Sequence, residues 1–347
     1  MLHTTELATS SRHLMRHLGL RRVAPSKLTV ERRKCGEGFA YYVDDKLVRN
    51  QVLLKRFRSL AVPPAYHEVR FAVDPRAHIQ AIGRDDAGRL QYRYHPHWVQ
   101  LRESEKSQRL ISLVAALPRL RKAVSDVLAI GEPTREFALA AVIELISLSA
   151  IRPGNEEYVR RNGSRGASTL LKSNVRISGD QVTLMFRGKS GKDIRKEVTA
   201  SRLAKAIAVL RTLSGPRLFQ YRDETGAIYA VSAGQVNSYL RELAQVDITL
   251  KDFRTLCASA SVLEVLAKNA PAEKAYNRHK QVVEAVRQAA SELVNTPSVA
   301  RKSYVHEAVV SAFEGDGVEK FARMLKRCRS ARQREKLLAA IVTAAIA

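Results

Sequence analysis

The chain has 347 residues, 45% of them hydrophobic, and carries 59 Lys+Arg against 34 Asp+Glu, a formal net charge of +25. That length and apolar content support a folded protein of more than one domain, and the charge, positive in both halves, calls for a polyanionic partner. A membrane-spanning role is excluded, because no apolar run approaches the roughly 18 to 20 residues needed to cross a bilayer.

The opening stretch MLHTTELATSSRHLMRHLGLRR is basic and acid-poor, which permits organelle targeting, but it lacks the unbroken apolar core of a secretion signal. A cytoplasmic protein is expected. Cys35, Cys257 and Cys328 are far apart, odd in number and free of CxxC spacing, so they suggest neither a zinc site nor a disulfide framework. Buried or inert thiols are expected at all three positions.

Up to about residue 95, the short β-like runs GFAYYVDDKLV, HEVRFAVD, AHIQAIGR and LQYRYH are separated by Pro, Gly and Asp clusters, which predicts a small β-rich domain. From Trp98 the period changes. VQLRESEKSQRLISLVAAL and EFALAAVIELISLSA repeat apolar residues at three- and four-residue spacing, as helices do. The expected organisation is a β-rich domain over residues 1–97 and a mainly helical domain over 98–347. Inside the second, NVRISGD, QVTLMFRGKSGK and DIRKEVTA alternate apolar with polar around Gly179, Gly188 and Gly191, which predicts a three-stranded meander with Lys189 in its second turn. The fold class is α+β.

Four places in the helical domain could carry chemistry. In SLSAIRPGNEEY, Pro153 and Gly154 should stop a long apolar helix where Arg152 sits; the ordinary alternative is a helix-end arginine facing exposed carbonyls. In LMFRGKSGK, Lys189 tips a hairpin, where a solvated lysine is equally ordinary. A phosphate-binding P-loop is excluded there, since Thr183 stands where its first glycine belongs. In DITLKDFRTLC, Thr249 and Asp252 resemble a helix cap that puts Lys251 and Arg254 in the first turn, where free amides favour a phosphate. In NTPSVARKSYVH, Asn295 ends one helix, Thr296 and Pro297 open the next, and Tyr304, one of 11 tyrosines, follows.

Together these are the parts needed to break a phosphodiester without a metal or other cofactor. Guanidinium groups match the oxygens of a phosphorane bidentately and stay charged, a lysine can protonate a departing 5′ oxygen, and a tyrosine can hold the phosphate in a covalent link. IRPGNEEY, FRGKSGK, KDFRT and NTPSVARKSYVH, in that order and spacing, resemble the small bacterial and poxviral type of DNA topoisomerase IB. The resemblance extends to PPAYHEV and IQAIGRDDAGRLQYRYH in the first domain.

The resemblance implies a two-domain clamp on double-stranded DNA, in the cytoplasm on the nucleoid, with no obligate protein partner and as a monomer. It implies phosphate-binding Arg152 and Arg254, general acid Lys189 and nucleophile Tyr304. The fifth position, often histidine, is Asn295, which can donate a hydrogen bond but cannot shuttle a proton. Lys251 is implied to support the scissile phosphate, and Tyr92, Tyr94 and Tyr158 to contact DNA. Leu90 and Glu307 depart from the family pattern. The implied activity is ATP-independent relaxation of supercoils through a 3′-phosphotyrosine. Two other readings fit parts of the pattern: a tyrosine recombinase, which usually has histidine where Lys251 stands, and a non-enzymatic architectural DNA-binding protein.

Overall fold

The computed structural model describes residues 13–268, 270–315, 323–328 and 330–346, so most of the opening stretch weighed for targeting lies outside the described residues. The chain divides into two compact units, Met1–Glu105 and Lys106–Ala347.

The first unit is built on a six-stranded antiparallel sheet: β1 (Val30–Cys35), β2 (Gly38–Val43), β3 (Lys46–Leu47), β4 (His67–Phe71), β5 (Ile79–Arg84) and β6 (Leu90–Tyr94), in the order β3-β2-β1-β4-β5-β6. One helix, α1 (Gln51–Ser59), packs with it around Val30, Tyr41, Phe57, Val69, Phe71 and Ala81. The rings of Tyr41, Phe57 and Phe71 lie 5.0 to 5.5 Å apart, within the range of favourable aromatic pairs.

Two of these elements were hidden in the sequence. Strand β1 reads VERRKC, and its run of cations masks the alternation; Arg32 explains one of them by donating to the carbonyls of Val62, Pro63 and Tyr66 at 2.8 to 3.0 Å. Helix α1 is short, yet it has a regular start, with Asn50 Oδ1 accepting from the Leu53 N–H at 3.1 Å. Cys35, expected to be buried or inert, is exposed where β1 ends.

Helix α2 (Pro96–Ala129) leads into the second unit, whose centre is α3 (Arg135–Ser149). Every residue of α3 from Phe137 to Ile146 is buried. Its one buried carboxylate, Glu144, pairs with Arg202 at 2.6 Å. A helix apolar all round belongs inside a core, so the segment following α3 starts from a fixed point.

The other helices are α4 (Glu156–Asn162), α5 (Ser201–Arg211), α6 (Ala233–Ala244), α7 (Leu250–Lys268), α8 (Ala275–Glu292), α9 (Pro297–Ser303), α10 (Glu307–Glu314) and α11 (Ala331–Ile346). Strands β7 (Val175–Ser178), β8 (Gln181–Arg187) and β9 (Asp193–Thr199) form the predicted antiparallel meander. The short pair β10 (Gln220–Arg222) and β11 (Ile228–Ala230) was not anticipated. Among the described residues no helix is long and apolar enough to cross a membrane.

Candidate active site

Arg254 organises the site. It lies one turn into α7, only 2% exposed, deeper than a first-turn arginine reaching for solvent. Its Nη1 donates to the carbonyl of Ala150 and its Nη2 to that of Leu293 at 3.2 Å. Those carbonyls end α3 and α8, and helix C-termini carry partial negative charge. Among the described residues the buried guanidinium is therefore compensated by helix ends and not by a carboxylate.

Both helices stop in the left-handed conformation, at Ala150 (φ 51°) and Val294 (φ 50°). After α8 the Val294 N–H reaches the Ser291 carbonyl at 3.0 Å and the Asn295 N–H reaches that of Ala290 at 2.8 Å, the paired bonds of a Schellman motif. The reading of Asn295 as the residue that ends the helix is thus corrected: Val294 takes the left-handed position, and Asn295 lies one residue beyond. A β-branched residue there is strained, at a cost of about 1 to 3 kcal/mol. The α3 reading shifts likewise, for the helix stops at Ala150, ahead of Arg152 and Pro153.

The Schellman turn brings Asn295 to Arg152, whose Nη2 donates to Asn295 Oδ1 at 2.7 Å. With Oδ1 engaged, Asn295 Nδ2 is buried and among the described residues has no hydrogen-bond partner, and the same holds for Arg254 Nε. Arg152 is fixed through its backbone too, its carbonyl accepting from the Ala167 N–H at 2.8 Å. The chain passes so close here that a Cβ on Gly166 would stand 2.5 Å from the Arg152 carbonyl oxygen and the Gly154 nitrogen.

Lys189 is exposed at the tip between β8 and β9, beside Ser190 in the left-handed region (φ 62°). The turn is closed by the Gly188 N–H on the Lys192 carbonyl at 2.7 Å. Arg152, Lys189 and Arg254 line one narrow cleft together with Arg165, Lys196 and Glu292. Sequence reading missed these last three. Lys196 had a signal: it takes an inward position in β9, between Ile194 and Val198, where alternation calls for an apolar residue.

Tyr304 joins the site through Arg254, whose Cζ sits 4.7 Å from the centre of its ring. Tyr304 ends α9, and only 9% of it is exposed. Burial pushes its phenol up, but the charge of Arg254, helped by the charges of Arg152 and Lys251, outweighs burial and holds it below its ordinary value. Burial likewise lowers Arg254, against the raising influence of Tyr304.

The tyrosine's backbone is pinned by α7 as well. Ser259 Oγ donates to the Tyr304 carbonyl at 3.3 Å and accepts from the His306 N–H at 3.0 Å. His306 Nδ1 accepts from Ala308 at 3.2 Å, so the neutral ring carries its proton on Nε2, 2.8 Å from Ser107 Oγ.

Of the residues singled out for DNA contact, Lys251 is exposed at the start of α7, where the Thr249 N–H donates to Asp252 Oδ2 at 2.8 Å as half of the expected capping box. Tyr158 is exposed on α4. In the first unit Tyr92 and Tyr94 are exposed on β6 with their rings stacked 5.7 Å apart and nearly parallel.

Compared with known protein families, residues 96–332 match the catalytic core of eukaryotic DNA topoisomerase I, and residues 38–85 match the N-terminal domain of bacterial DNA topoisomerase IB. The chain belongs to the type IB DNA topoisomerase family. DNA topoisomerase 1B of Acanthamoeba polyphaga mimivirus is 33% identical over 297 residues, covering 83% of this chain and 88% of that protein. DNA topoisomerase 1B of vaccinia virus (strain Copenhagen) is 23% identical over 231 residues, 66% of this chain and 70% of the relative. The family match to the catalytic core contains Arg152, Lys189, Arg254, Asn295 and Tyr304, whereas Tyr92 and Tyr94 fall between the two matched stretches.

Proposed function

We propose that the protein relaxes supercoiled duplex DNA by cutting one strand, letting it rotate and resealing it, with Tyr304 as nucleophile. The observation that carries this reading is the packing of the buried Arg254 guanidinium on the Tyr304 ring. It couples a phosphate-binding cation to a phenol whose affinity for its proton it lowers.

In the proposed reaction the Tyr304 oxygen attacks the scissile phosphorus and the phenolic proton leaves to solvent. Arg254 and Arg152 balance the charge on the nonbridging oxygens of the phosphorane. The unpartnered Asn295 Nδ2 donates to one of those oxygens, a role that a ring-free amide fills without taking up a proton. Lys189 gives a proton to the departing 5′ oxygen. A 3′-phosphotyrosine keeps the phosphodiester energy, so the reverse attack by the 5′ hydroxyl reseals the strand without ATP. Lys251, Tyr158, Tyr92 and Tyr94 serve as DNA contacts. The protein works as a monomer on the nucleoid in the cytoplasm.

The test is relaxation of a supercoiled plasmid in EDTA without nucleotide. Relaxation of both positive and negative supercoils, abolished by Tyr304→Phe, is the expected result. An absolute requirement for ATP would sink the reading.

A further inference from the structure

Lys196 stands opposite the fully buried Leu184 in the β8–β9 ladder and on the same strand face as Ile194 and Val198. An ammonium at an inward position of a strand costs desolvation unless a partner compensates it. Among the described residues the Lys196 ammonium makes no hydrogen bond and no ion pair within 4.0 Å. It faces the cleft lined also by Arg152, Lys189 and Arg254, so its neighbours increase the cost. Glu292, at the end of α8, and Cys257, on α7, face it from the other elements; burial lowers its pKa first of all, and Arg254 acts in the same direction against the attraction of those two groups.

A half-buried lysine kept among cations, without a carboxylate in contact, is the arrangement expected of a group whose counterion arrives with the substrate. We infer that Lys196 is a further DNA-contacting residue of the active site, its ammonium meeting a nonbridging oxygen of the backbone phosphate that enters the cleft beside Lys189. The inference rests on the topoisomerase reading above. The competing explanation is internal: Lys196 serves only to offset Glu292.

The two are separated by single-turnover formation of the covalent adduct on a nicked suicide duplex, measured for wild type, Lys196→Met, Lys196→Arg and the double variant Lys196→Met/Glu292→Gln. Noncovalent binding against salt is followed in the Tyr304→Phe background. A phosphate contact predicts that Lys196→Met slows adduct formation roughly tenfold or more, as loss of a charge-assisted hydrogen bond does. Lys196→Arg should retain most of the rate, and the log–log salt slope should fall by about 0.9 in Lys196→Met. Adding Glu292→Gln should not restore the rate.

Full restoration by Glu292→Gln, or an unchanged rate and salt slope in a folded Lys196→Met protein, overturns the inference. Should Lys196→Met fail to fold, Lys196→Gln and Lys196→Arg decide on the same measurements. If wild type itself forms no adduct, the topoisomerase reading fails first and takes this inference with it; if wild type reacts and the Lys196 variants match it, only the inference falls.

Discussion

Arg254 lies over the ring of Tyr304, its guanidinium carbon 4.7 Å from the ring centre, while two of its nitrogens are spent on the carbonyls that end α3 and α8. One side chain thus ties two helix ends to the proposed nucleophile. Its charge also bears on the phenol, whose pKa lies below the usual value because Arg254, Arg152 and Lys251 together outweigh burial.

That relationship predicts a pH effect. Phenolate, the attacking form, accumulates as pH rises through a depressed pKa, so the adduct-forming rate should increase with pH and level off earlier than an ordinary phenol allows. Arg254→Met should move the rise to higher pH. Ultraviolet titration, taken as the difference between wild type and Tyr304→Phe, reads the same phenol directly; a Tyr304 signal that titrates no earlier than the other tyrosines would contradict the electrostatic argument.

Tyr304→Phe should bind DNA with nearly wild-type affinity and form no covalent intermediate, since it removes the oxygen and leaves the surrounding cations in place. Trapped wild-type protein should be attached to a 3′ phosphate. Attachment to a 5′ phosphate would mean that the proposed polarity is wrong, and adduct formation undiminished in the variant would mean that the wrong tyrosine was chosen.

Lys189→Ala should recover on a substrate whose bridging 5′ oxygen is replaced by sulfur, because a thiolate departs without a proton. Arg152→Ala should not, since the charge it meets on the nonbridging oxygens is still there. Equal defects of Lys189→Ala on oxygen and sulfur substrates would remove Lys189 as the acid.

Asn295→Asp is expected to be worse for cleavage than Asn295→Ala. The carboxylate can still accept from Arg152, as Oδ1 does at 2.7 Å, but it replaces the unpartnered Nδ2 donor with an anion. Losing such a donor costs on the order of 3 kcal/mol in the transition state, and repulsion of the phosphate adds to that. Thermal melting should show Asn295→Asp no less stable than Asn295→Ala. The reverse order of cleavage rates would argue against an Nδ2 contact with phosphate.

Gly166→Ala should damage the protein more than Gly188→Ala. A Cβ at 166 meets rigid backbone at 2.5 Å, including the Arg152 carbonyl, whereas one at 188 meets the side chain of Ile194 at 2.7 Å. Overpacking of the first kind costs about 1 to 3 kcal/mol or more, and it acts on the segment that presents Arg152. Melting temperature and cleavage rate should therefore fall together for Gly166→Ala. Equal, mild effects at both glycines would show that the Arg152 segment yields easily.

The sequence alone determined the elements with a clean period and the residue types of the candidate site: the β7–β9 meander from its alternation and glycines, the long helices α2 and α3, and the ordered candidates Arg152, Lys189, Arg254, Asn295 and Tyr304. Local chemistry suffices there, since period and turn residues act over a few neighbours. Tertiary structure decided what distant segments do to one another. That Val294 and not Asn295 turns left-handed, that Arg254 is buried against two helix ends, and that Lys196 shares a cleft with residues from three other segments all depend on packing between parts of the chain far apart in sequence. Propensity argued against the first, since a β-branched residue disfavours φ near +50°, and only contacts made on folding can hold it there.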